Sequence, residues 1–304
     1  MTEPKIRFIS DVRVEEGILV HAFEGWTDSG LSASMALAYL KTKASAERFA
    51  EFLPDGLFDY RSRRPVYSVS NGISQGLAWP EVTLSAGYIA SEHSVVTLGG
   101  PEPDINWQLF SQLVAEAATK LGIALAIGLG AIPAPVPHTK TPPIISTSPD
   151  PALVARVGAL QGKAEVPAGI QLAIEAALAE HGIPSMCIWA RVPHYLSQMA
   201  WPRASLSLLE TVQRVTGFRL DLGELARSAA ETGEKIDEAV RHNPEAREYV
   251  AQLERIFTDQ EVEAQSPSVL SDFGSVTGDQ IASEIEQFLA SQDQNSGDQG
   301  AEPD

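Results

Sequence analysis

The stretch Ala124-Leu125-Ala126-Ile127-Gly128-Leu129 is an apolar run of strand length, and Val136-Pro137-His138-Thr139 follows it a few residues later. A second pair has the same design, with Met186-Cys187-Ile188-Trp189-Ala190 followed by Val192-Pro193-His194-Tyr195. Proline fixes φ and favours an extended conformation in the residue before it. Each pair therefore predicts a strand that ends in a stiff turn, with a histidine just beyond its carboxyl end. Because ligands bind at this edge of open α/β sheets, we expect His138 and His194 to share one rim.

Strand-like runs alternate with amphipathic helical segments along the first two thirds of the chain. The sequence predicts strands over residues 18–23, 47–52, 66–70, 82–86, 94–98, 124–129 and 184–190. It predicts helices over residues 29–41, 107–121 and 169–181. This alternation indicates an α/β protein with helices on both faces of a mixed, largely parallel sheet, and its first three elements form a β-α-β start. Because no helix separates the strands between residues 66 and 86, part of the sheet is expected to be antiparallel.

The pattern changes after Pro202, where consecutive helices replace the alternation. Three are predicted, over residues 203–216, 221–240 and 244–257. Asp221 is a candidate cap for the second helix, and Asn243 caps the third with Pro244 in its first turn. These helices are expected either to pack on the sheet or to present an apolar contact surface to a partner.

We divide the chain into an α/β domain over residues 1–202, a helical C-terminal region over 203–260 and an acidic tail over 261–304. The tail holds ten acidic residues and no Lys, Arg or His. Its polar composition buries too little apolar surface to fold alone, so it is predicted to be largely disordered. Within it, Asp279 can cap a short helix whose apolar stripe consists of Ile281, Ile285, Phe288 and Leu289.

Charge and composition exclude several classes of function. The formal net charge is −18, and without the tail 30 acidic and 22 basic residues remain. An acidic body with an acidic tail repels phosphate, so no nucleic acid partner is expected. No run has the length of a membrane span, and the polar N-terminus lacks the apolar stretch of a signal peptide. The single cysteine, Cys187, fits a reducing compartment, so we expect a cytoplasmic protein without membrane contact.

The segment from Glu24 to Gly30 is a further candidate site, because it lies between the first long strand and its helix. One interpretation is a ligand loop in which Gly25, Trp26, Asp28 and Ser29 surround an anion held by backbone N–H groups. The other is structural, with a glycine turn followed by a helix cap. The glycine spacing of a phosphate loop and a dinucleotide fingerprint are both absent, so no cofactor is predicted.

Catalytic and metal sites receive weaker support. Ser29 with Asp28 and a histidine supplies the residue types of a hydrolytic triad, but the Gly-x-Ser-x-Gly elbow is absent. Cys187 lies mid-strand among apolar residues, as a buried inert thiol would. The six histidines show no metal-ligand spacing, so we predict neither a metal site nor a catalytic residue.

The histidine motifs leave two interpretations open. In the first, His138, Thr139, His194 and Tyr195 line a ligand cleft at the carboxyl edge of the sheet. In the second, each ring holds a loop by hydrogen bonds to the backbone, and the tyrosine packs as an aromatic.

Taken together, the motifs resemble the PAC2 (proteasome assembly chaperone 2) family in its actinobacterial form. The resemblance covers about Val20 to Phe257 and rests on five segments. They are Glu24-Gly25-Trp26-Thr27-Asp28-Ser29-Gly30, Gly100-Pro101-Glu102-Pro103-Asp104 with Trp107, Val136-Pro137-His138-Thr139, Val192-Pro193-His194-Tyr195 and Arg203-Ala204.

The resemblance implies a three-layer α/β/α fold of the phosphorylase/hydrolase-like class, followed by helices. It also implies self-association, with a trimer among the possible forms, and binding to proteasome α-subunits as in eukaryotic and archaeal relatives. Archaeal relatives can dock through a C-terminal hydrophobic-Tyr-any tail, whereas this sequence ends Gly300-Ala301-Glu302-Pro303-Asp304. Docking here is therefore expected to use another surface.

Two functional hypotheses follow. We favour a non-catalytic, oligomeric binding protein of the proteasome-assembly-chaperone type, with its apolar contact surface on the helical region. The alternative is a hydrolase, a transferase or a sensor that acts on a small polar metabolite in the histidine-lined cleft.

Overall fold

The computed structural model describes residues 3–89, 93–159, 163 and 165–263, with side chains described as far as residue 258. The tail after residue 263, including the helix predicted from Asp279, lies outside the described residues.

Ten strands and seven α-helices make up the described chain. The strands are β1 (Ile6–Phe8), β2 (Gly17–Glu24), β3 (Glu47–Phe52), β4 (Val66–Ser70), β5 (Ile73–Ala78), β6 (Val82–Ile89), β7 (His93–Pro101), β8 (Ile123–Ala134), β9 (Ile144–Thr147) and β10 (Ser185–Pro193). The helices are α1 (Ser32–Lys43), α2 (Trp107–Leu121), α3 (Pro151–Val157), α4 (Ile170–Glu180), α5 (Pro202–Thr216), α6 (Gly223–His242) and α7 (Pro244–Glu263). Short 3-10 turns span Ser29–Leu31, Pro54–Gly56 and His194–Leu196.

Eight strands form one mixed sheet in the order β1-β3-β6-β7-β2-β8-β10-β9. The four central strands β7, β2, β8 and β10 are parallel to one another, whereas β1, β6 and β9 run in the opposite direction. The prediction of a mixed, largely parallel sheet is therefore confirmed. The predicted β-α-β start is only partly right, because β2 and β3 run in the same direction but β7 and β6 lie between them.

Helices cover both faces of the sheet, which confirms the three-layer α/β/α architecture. On one face α2 packs against α4 over a core that includes Phe23, Phe52 and Phe110. On the other face α1 packs against α5 over a core that includes Trp201 and Leu208. Burial of these side chains stabilises the fold by about 1.5–3 kcal/mol for each large residue.

The helical region continues the second of these layers. The helix α6 packs on α5 and α7 packs on α6, so all three share one core with the sheet. Asn243 caps α7 as predicted, since its side-chain oxygen accepts the backbone N–H groups of Glu245 and Ala246. The division at residue 202 stays a prediction. None of the described helices is long and apolar enough to cross a bilayer.

Four short elements were not expected from the sequence: β1, β5, β9 and α3. They are three to seven residues long, too short for a periodic pattern to be distinguished from a loop. In addition, β4 and β5 form a separate two-stranded hairpin between β3 and β6, outside the main sheet.

One glycine sets the spacing of the central strands. Gly128 on β8 lies between His21 on β2 and Cys187 on β10 in the sheet register. A Cβ at this position would lie 2.7 Å from Cys187 Sγ and 2.8 Å from His21 Cε1. Both neighbours are buried, and burial lowers the pKa of His21 to about 3 and raises the pKa of the Cys187 thiol. His21, Gly128 and Cys187 are therefore uncharged and closely packed. Cys187 is buried, as predicted.

We predict that Gly128→Ala lowers the free energy of unfolding by about 1–3 kcal/mol, because overpacking displaces two buried side chains. Gly233→Ala is the matched control, since nothing lies within 4 Å of a Cβ there and alanine favours the interior of α6. Urea denaturation should show the control to be more stable than the natural chain by up to about 1 kcal/mol. Equal stability of the two variants would contradict the role of Gly128.

Candidate functional site

The four motif loops lie together at the carboxyl edge of the four central parallel strands. The loop of Glu24 to Gly30 follows β2, and Gly100 to Asp104 follow from the end of β7. The two Val-Pro-His motifs stand at the ends of β8 and β10, which pair in parallel register from Ser185 to Pro193. Residues quoted from four separate parts of the sequence therefore share one edge.

His138 is the centre of a buried hydrogen-bond chain. Its backbone N–H donates to the hydroxyl oxygen of Tyr195 at 2.8 Å, and its ring Nδ1 lies 2.7 Å from the same oxygen. Its Nε2 lies 3.1 Å from Oδ1 of Asp237 on α6. This pattern fits a neutral ring, in which Nδ1 accepts the tyrosine proton and Nε2–H donates to the carboxylate.

His194, in the second Val-Pro-His motif, also has both ring nitrogens within hydrogen-bond distance of protein groups. Its Nε2 lies 2.5 Å from the hydroxyl of Tyr249 on α7, and its Nδ1 lies 3.4 Å from the carbonyl oxygen of Ala134. Tyr195 lies edge-on to both histidine rings, with centroid distances of 5.8 Å to His138 and 5.6 Å to His194. The two histidines thus share one aromatic cluster, which Tyr249 completes.

Two further contacts hold the C-terminal helices against this edge. Arg203 on α5 donates from Nη1 to the carbonyl oxygen of His138 at 2.7 Å. The Thr139 hydroxyl donates to Glu254 on α7 at 2.5 Å. Each of the three helices therefore contributes polar side chains to the histidine motifs.

Burial determines the protonation of this cluster. Burial lowers the pKa of His138 below its ordinary value, even though the nearby Asp237 favours the charged ring. Burial also raises the pKa of Tyr195, whose side chain is 1% exposed. The Tyr-His-Asp order matches the connectivity of a catalytic triad, but its hydroxyl is buried and difficult to ionise. The arrangement therefore holds the turn, and its hydroxyl is a poor nucleophile.

The β2–α1 loop is organised around Asp28. Its Oδ1 accepts the backbone N–H groups of Ala33 at 2.7 Å and Ser34 at 3.1 Å, so it caps α1 from outside the first turn. Its Oδ2 is buried and has no hydrogen-bond partner among the described residues. Burial raises the pKa of this carboxyl group. The capping interpretation therefore accounts for Oδ1 of Asp28 but not for the burial of Oδ2.

The remaining loop residues have different environments. Gly25 has φ 142°, a conformation that favours glycine, and Trp26 is 71% exposed. Ser29 is buried, and its hydroxyl has no hydrogen-bond partner among the described residues. A triad of Ser29 with Asp28 and a histidine is therefore not assembled.

The loop and the second motif are joined through the backbone. The N–H of Gly30 donates to the carbonyl oxygen of Ser197 at 2.8 Å, and the N–H of Trp201 donates to the carbonyl oxygen of Gly30 at 2.8 Å. These two hydrogen bonds therefore join the β2–α1 loop to the segment that follows the second Val-Pro-His motif.

A cavity of about 400 Å³ lies beside His138, between the turn and the two last helices. Its lining combines apolar and charged side chains: His138, Thr139, Glu234, Asp237, Val240, Arg241 and Val250.

Sequence reasoning missed the helical partners of the motifs, namely Asp237, Tyr249 and Glu254. They lie 99, 55 and 115 residues from the motif residues that they contact. On amphipathic helices such residues have the pattern of a solvated face, so nothing in the local sequence distinguishes them.

Comparison with known proteins gives a consistent result. The sequence profile of the PAC2 family matches residues 22–240. The crystal structure of Rv2714, a Mycobacterium tuberculosis protein of unknown function, is 34% identical, with a TM-score of 0.79 over 86% of this chain and 90% of that chain. No curated protein matches the sequence.

Two further structures have names that refer to the proteasome. The M. tuberculosis proteasome-assembly chaperone homologue Rv2125 is 31% identical, with a TM-score of 0.72 over 77% of this chain and 99% of that chain. Pyrococcus furiosus PbaB, an archaeal proteasome activator, is 13% identical with a TM-score of 0.64, over 78% of this chain and 99% of that chain. The latter shows the shared fold alone.

We predict that Tyr195→Phe lowers the free energy of unfolding by about 1–3 kcal/mol, because the buried N–H and Nδ1 of His138 lose their shared partner. Tyr249→Phe is the comparison, and it should cost less because its hydroxyl contacts one group, His194 Nε2, among the described residues and the side chain is half-buried. Chemical denaturation measures both values. A larger loss of stability in Tyr249→Phe than in Tyr195→Phe would contradict the central role of the Tyr195 hydroxyl.

Proposed function

Because the chain belongs to the PAC2 family, we propose that it is a non-catalytic, oligomeric binding protein with a chaperone-like role toward proteasome subunits. The similarity to a proteasome-assembly chaperone homologue at 31% identity supports this direction. A cytoplasmic location is part of the proposal.

The observation that carries the proposal is that protein groups, two of them on α6 and α7, lie within hydrogen-bond distance of both motif histidines. The His138 ring nitrogens face Tyr195 and Asp237, and His194 faces Tyr249 and a backbone carbonyl. General acid-base catalysis needs a group within hydrogen-bond reach of a substrate. Both ring nitrogens of a catalytic histidine can also face protein groups, but the hydroxyl beside His138 belongs to Tyr195, which is buried and has a raised pKa, so this arrangement favours a scaffold over an active site.

The β4–β5 hairpin supplies a surface for self-association. Residues 65–80 contain no charged side chain. The hairpin exposes six large apolar side chains, each between 44% and 66%: Val66, Tyr67, Val69, Ile73, Leu77 and Trp79. A two-stranded hairpin is marginally stable alone in water, and its outer edges offer unpaired backbone groups.

Charge and area favour a second copy of the chain as the partner on this hairpin. Two copies of a strongly acidic protein repel, so they associate best through an uncharged patch. Six exposed side chains of this size offer of the order of 100 Å² each over the two faces of the hairpin, so the hairpin supplies part of the roughly 800 Å² per partner of a stable interface.

The expected contact surface on the helical region is not found. Between residues 203 and 258 no large apolar side chain is exposed, because α5, α6 and α7 turn their apolar faces to the shared core. Of the thirteen exposed large apolar side chains in the described part of the chain, six lie on or directly beside the hairpin, which makes it their largest group.

A metabolite enzyme or sensor is the second candidate function, and the cavity of about 400 Å³ beside His138 supports it. Its charged rim of Glu234, Asp237 and Arg241 suits a small polar ligand. A sensor would bind without turnover, whereas an enzyme would consume the ligand.

We expect the tagged full-length protein to form a near-stoichiometric complex with proteasome α-subunits from its own host. Size-exclusion chromatography with light scattering, together with the rate of proteasome assembly, tests this. An absence of complex combined with an unchanged assembly rate would contradict the chaperone-like role.

Self-association has its own test in the paired variant Tyr67→Ser with Leu77→Ser, which removes one cross-strand pair of the hairpin. Light scattering should show an oligomer for the natural chain and a monomer for the variant. Val166→Ser, at an exposed position outside the hairpin, is the control and should remain oligomeric. An oligomer that survives the double substitution would exclude the hairpin as the interface.

A further inference from the structure

A second groove lies away from the histidines, between α1 and the sheet. It has a volume of about 250 Å³ and is bordered by the carboxyl end of β2, by β6 and β7, and by one face of α1. Its polar lining consists of Glu24, Ser34, Lys41, Thr83 and Thr97.

The topology explains why the sheet is open here. The strand β2 leads to α1 on one face, whereas its neighbour β7 leads to α2 on the opposite face. Connections that leave adjacent parallel strands on opposite sides create a crevice between their carboxyl ends, where α/β proteins bind ligands.

The floor of the groove consists of hydroxyl groups and a glycine. In the pairing of β6 with β7, Ser85 is opposite Thr97 and Thr83 is opposite Gly99, so these residues share the face that α1 covers. Ser85 is 1% exposed, and its hydroxyl has no hydrogen-bond partner among the described residues. Ser85 lies beneath the floor and does not line the groove, so the hydroxyl groups that a ligand can reach there are those of Thr83 and Thr97.

Two opposite charges border the groove without neutralising each other. Glu24 and Lys41 both line it, yet among the described residues neither forms an ion pair or a side-chain hydrogen bond. Other charges nearby are already paired, with Arg48 on Glu81 and Lys43 on Glu224.

The charges lie toward opposite ends of the groove. Ser34 and Lys41 are seven residues apart on α1, which corresponds to about 10 Å along the helix. Glu24 ends β2 near the first turn of α1, and burial together with the Glu24 charge raises the pKa of Asp28, whose carboxylate accepts the backbone N–H of Ser34. An ion with both charges, extended along the groove, would meet both side chains.

We propose that this groove binds a small zwitterion of the size of an amino acid or a dipeptide. Its ammonium group meets the Glu24 carboxylate, its carboxylate meets the Lys41 ammonium, and its polar middle faces the hydroxyl floor. The volume of about 250 Å³ lies just below the range of pockets for drug-sized ligands, which suits a ligand of this size. The site is independent of the histidine motifs and of the proposed protein-binding role.

Isothermal titration of the full-length protein with glycylglycine tests the proposal. Saturable binding is expected, and either N-acetylation or C-amidation of the dipeptide should weaken it about tenfold or more, since each removes one charge-assisted contact. No saturable binding up to about 10 mM, or equal binding of the blocked forms, would overturn the proposal.

Variants that each remove one charge identify the side chain that binds each end of the ligand. Glu24→Gln should bind glycylglycine and its N-acetyl form equally weakly, and Lys41→Met should no longer distinguish glycylglycine from its amide. Glu116→Gln and Lys120→Met, at exposed positions on α2, are matched controls and should retain the full discrimination. Circular dichroism confirms that each variant is folded. Unchanged discrimination in Glu24→Gln and Lys41→Met would place the ligand elsewhere.

Discussion

The structure depends on the shared use of one buried hydroxyl group. Tyr195 accepts the backbone N–H of His138 and lies within hydrogen-bond distance of its ring Nδ1, so a single oxygen satisfies two groups of the first motif. Because Tyr195 belongs to the second motif, this oxygen links the turns that follow β8 and β10, two strands that pair in parallel register up to that point. The opposite ring nitrogen of His138 lies within hydrogen-bond distance of Asp237 and adds a polar contact to α6, which packs on α5.

This arrangement limits what the edge can do. In an enzyme of this topology, the carboxyl ends of the central strands would expose reactive side chains to a substrate. Here the two histidines, Thr139 and the turn carbonyl are engaged by α5, α6 and α7, so the same residues hold these helices against the edge, beside the cavity of about 400 Å³. The largest group of exposed apolar side chains lies on and beside the β4–β5 hairpin, away from this edge.

The sequence predicted the fold more completely than the site. Periodicity and Pro-Gly punctuation located every long element, with α2 and β3 matching to the residue. Strand order depends on contacts between distant segments, so the separation of β2 from β3 could not be read locally. The same holds for the partners of the motifs: the pattern around His138 indicated a rim residue, but nothing near Asp237 or Tyr249 marked them as its neighbours. Of the hairpin, the sequence predicted β4 but not β5. The exposure of its apolar side chains depends on tertiary contacts, so it could not be predicted from the local sequence.

The protonation state of His138 tests the central claim most directly. A long-range ¹H–¹⁵N correlation spectrum of the imidazole groups, recorded as a function of pH, reports both the tautomer and the pKa. The structure predicts a neutral ring at pH 7 with the proton on Nε2, and a pKa below the ordinary histidine value because burial disfavours the charged form. A ring that titrates at or above the ordinary histidine pKa, or that carries its proton on Nδ1, would contradict the hydrogen-bond chain from Tyr195 through His138 to Asp237.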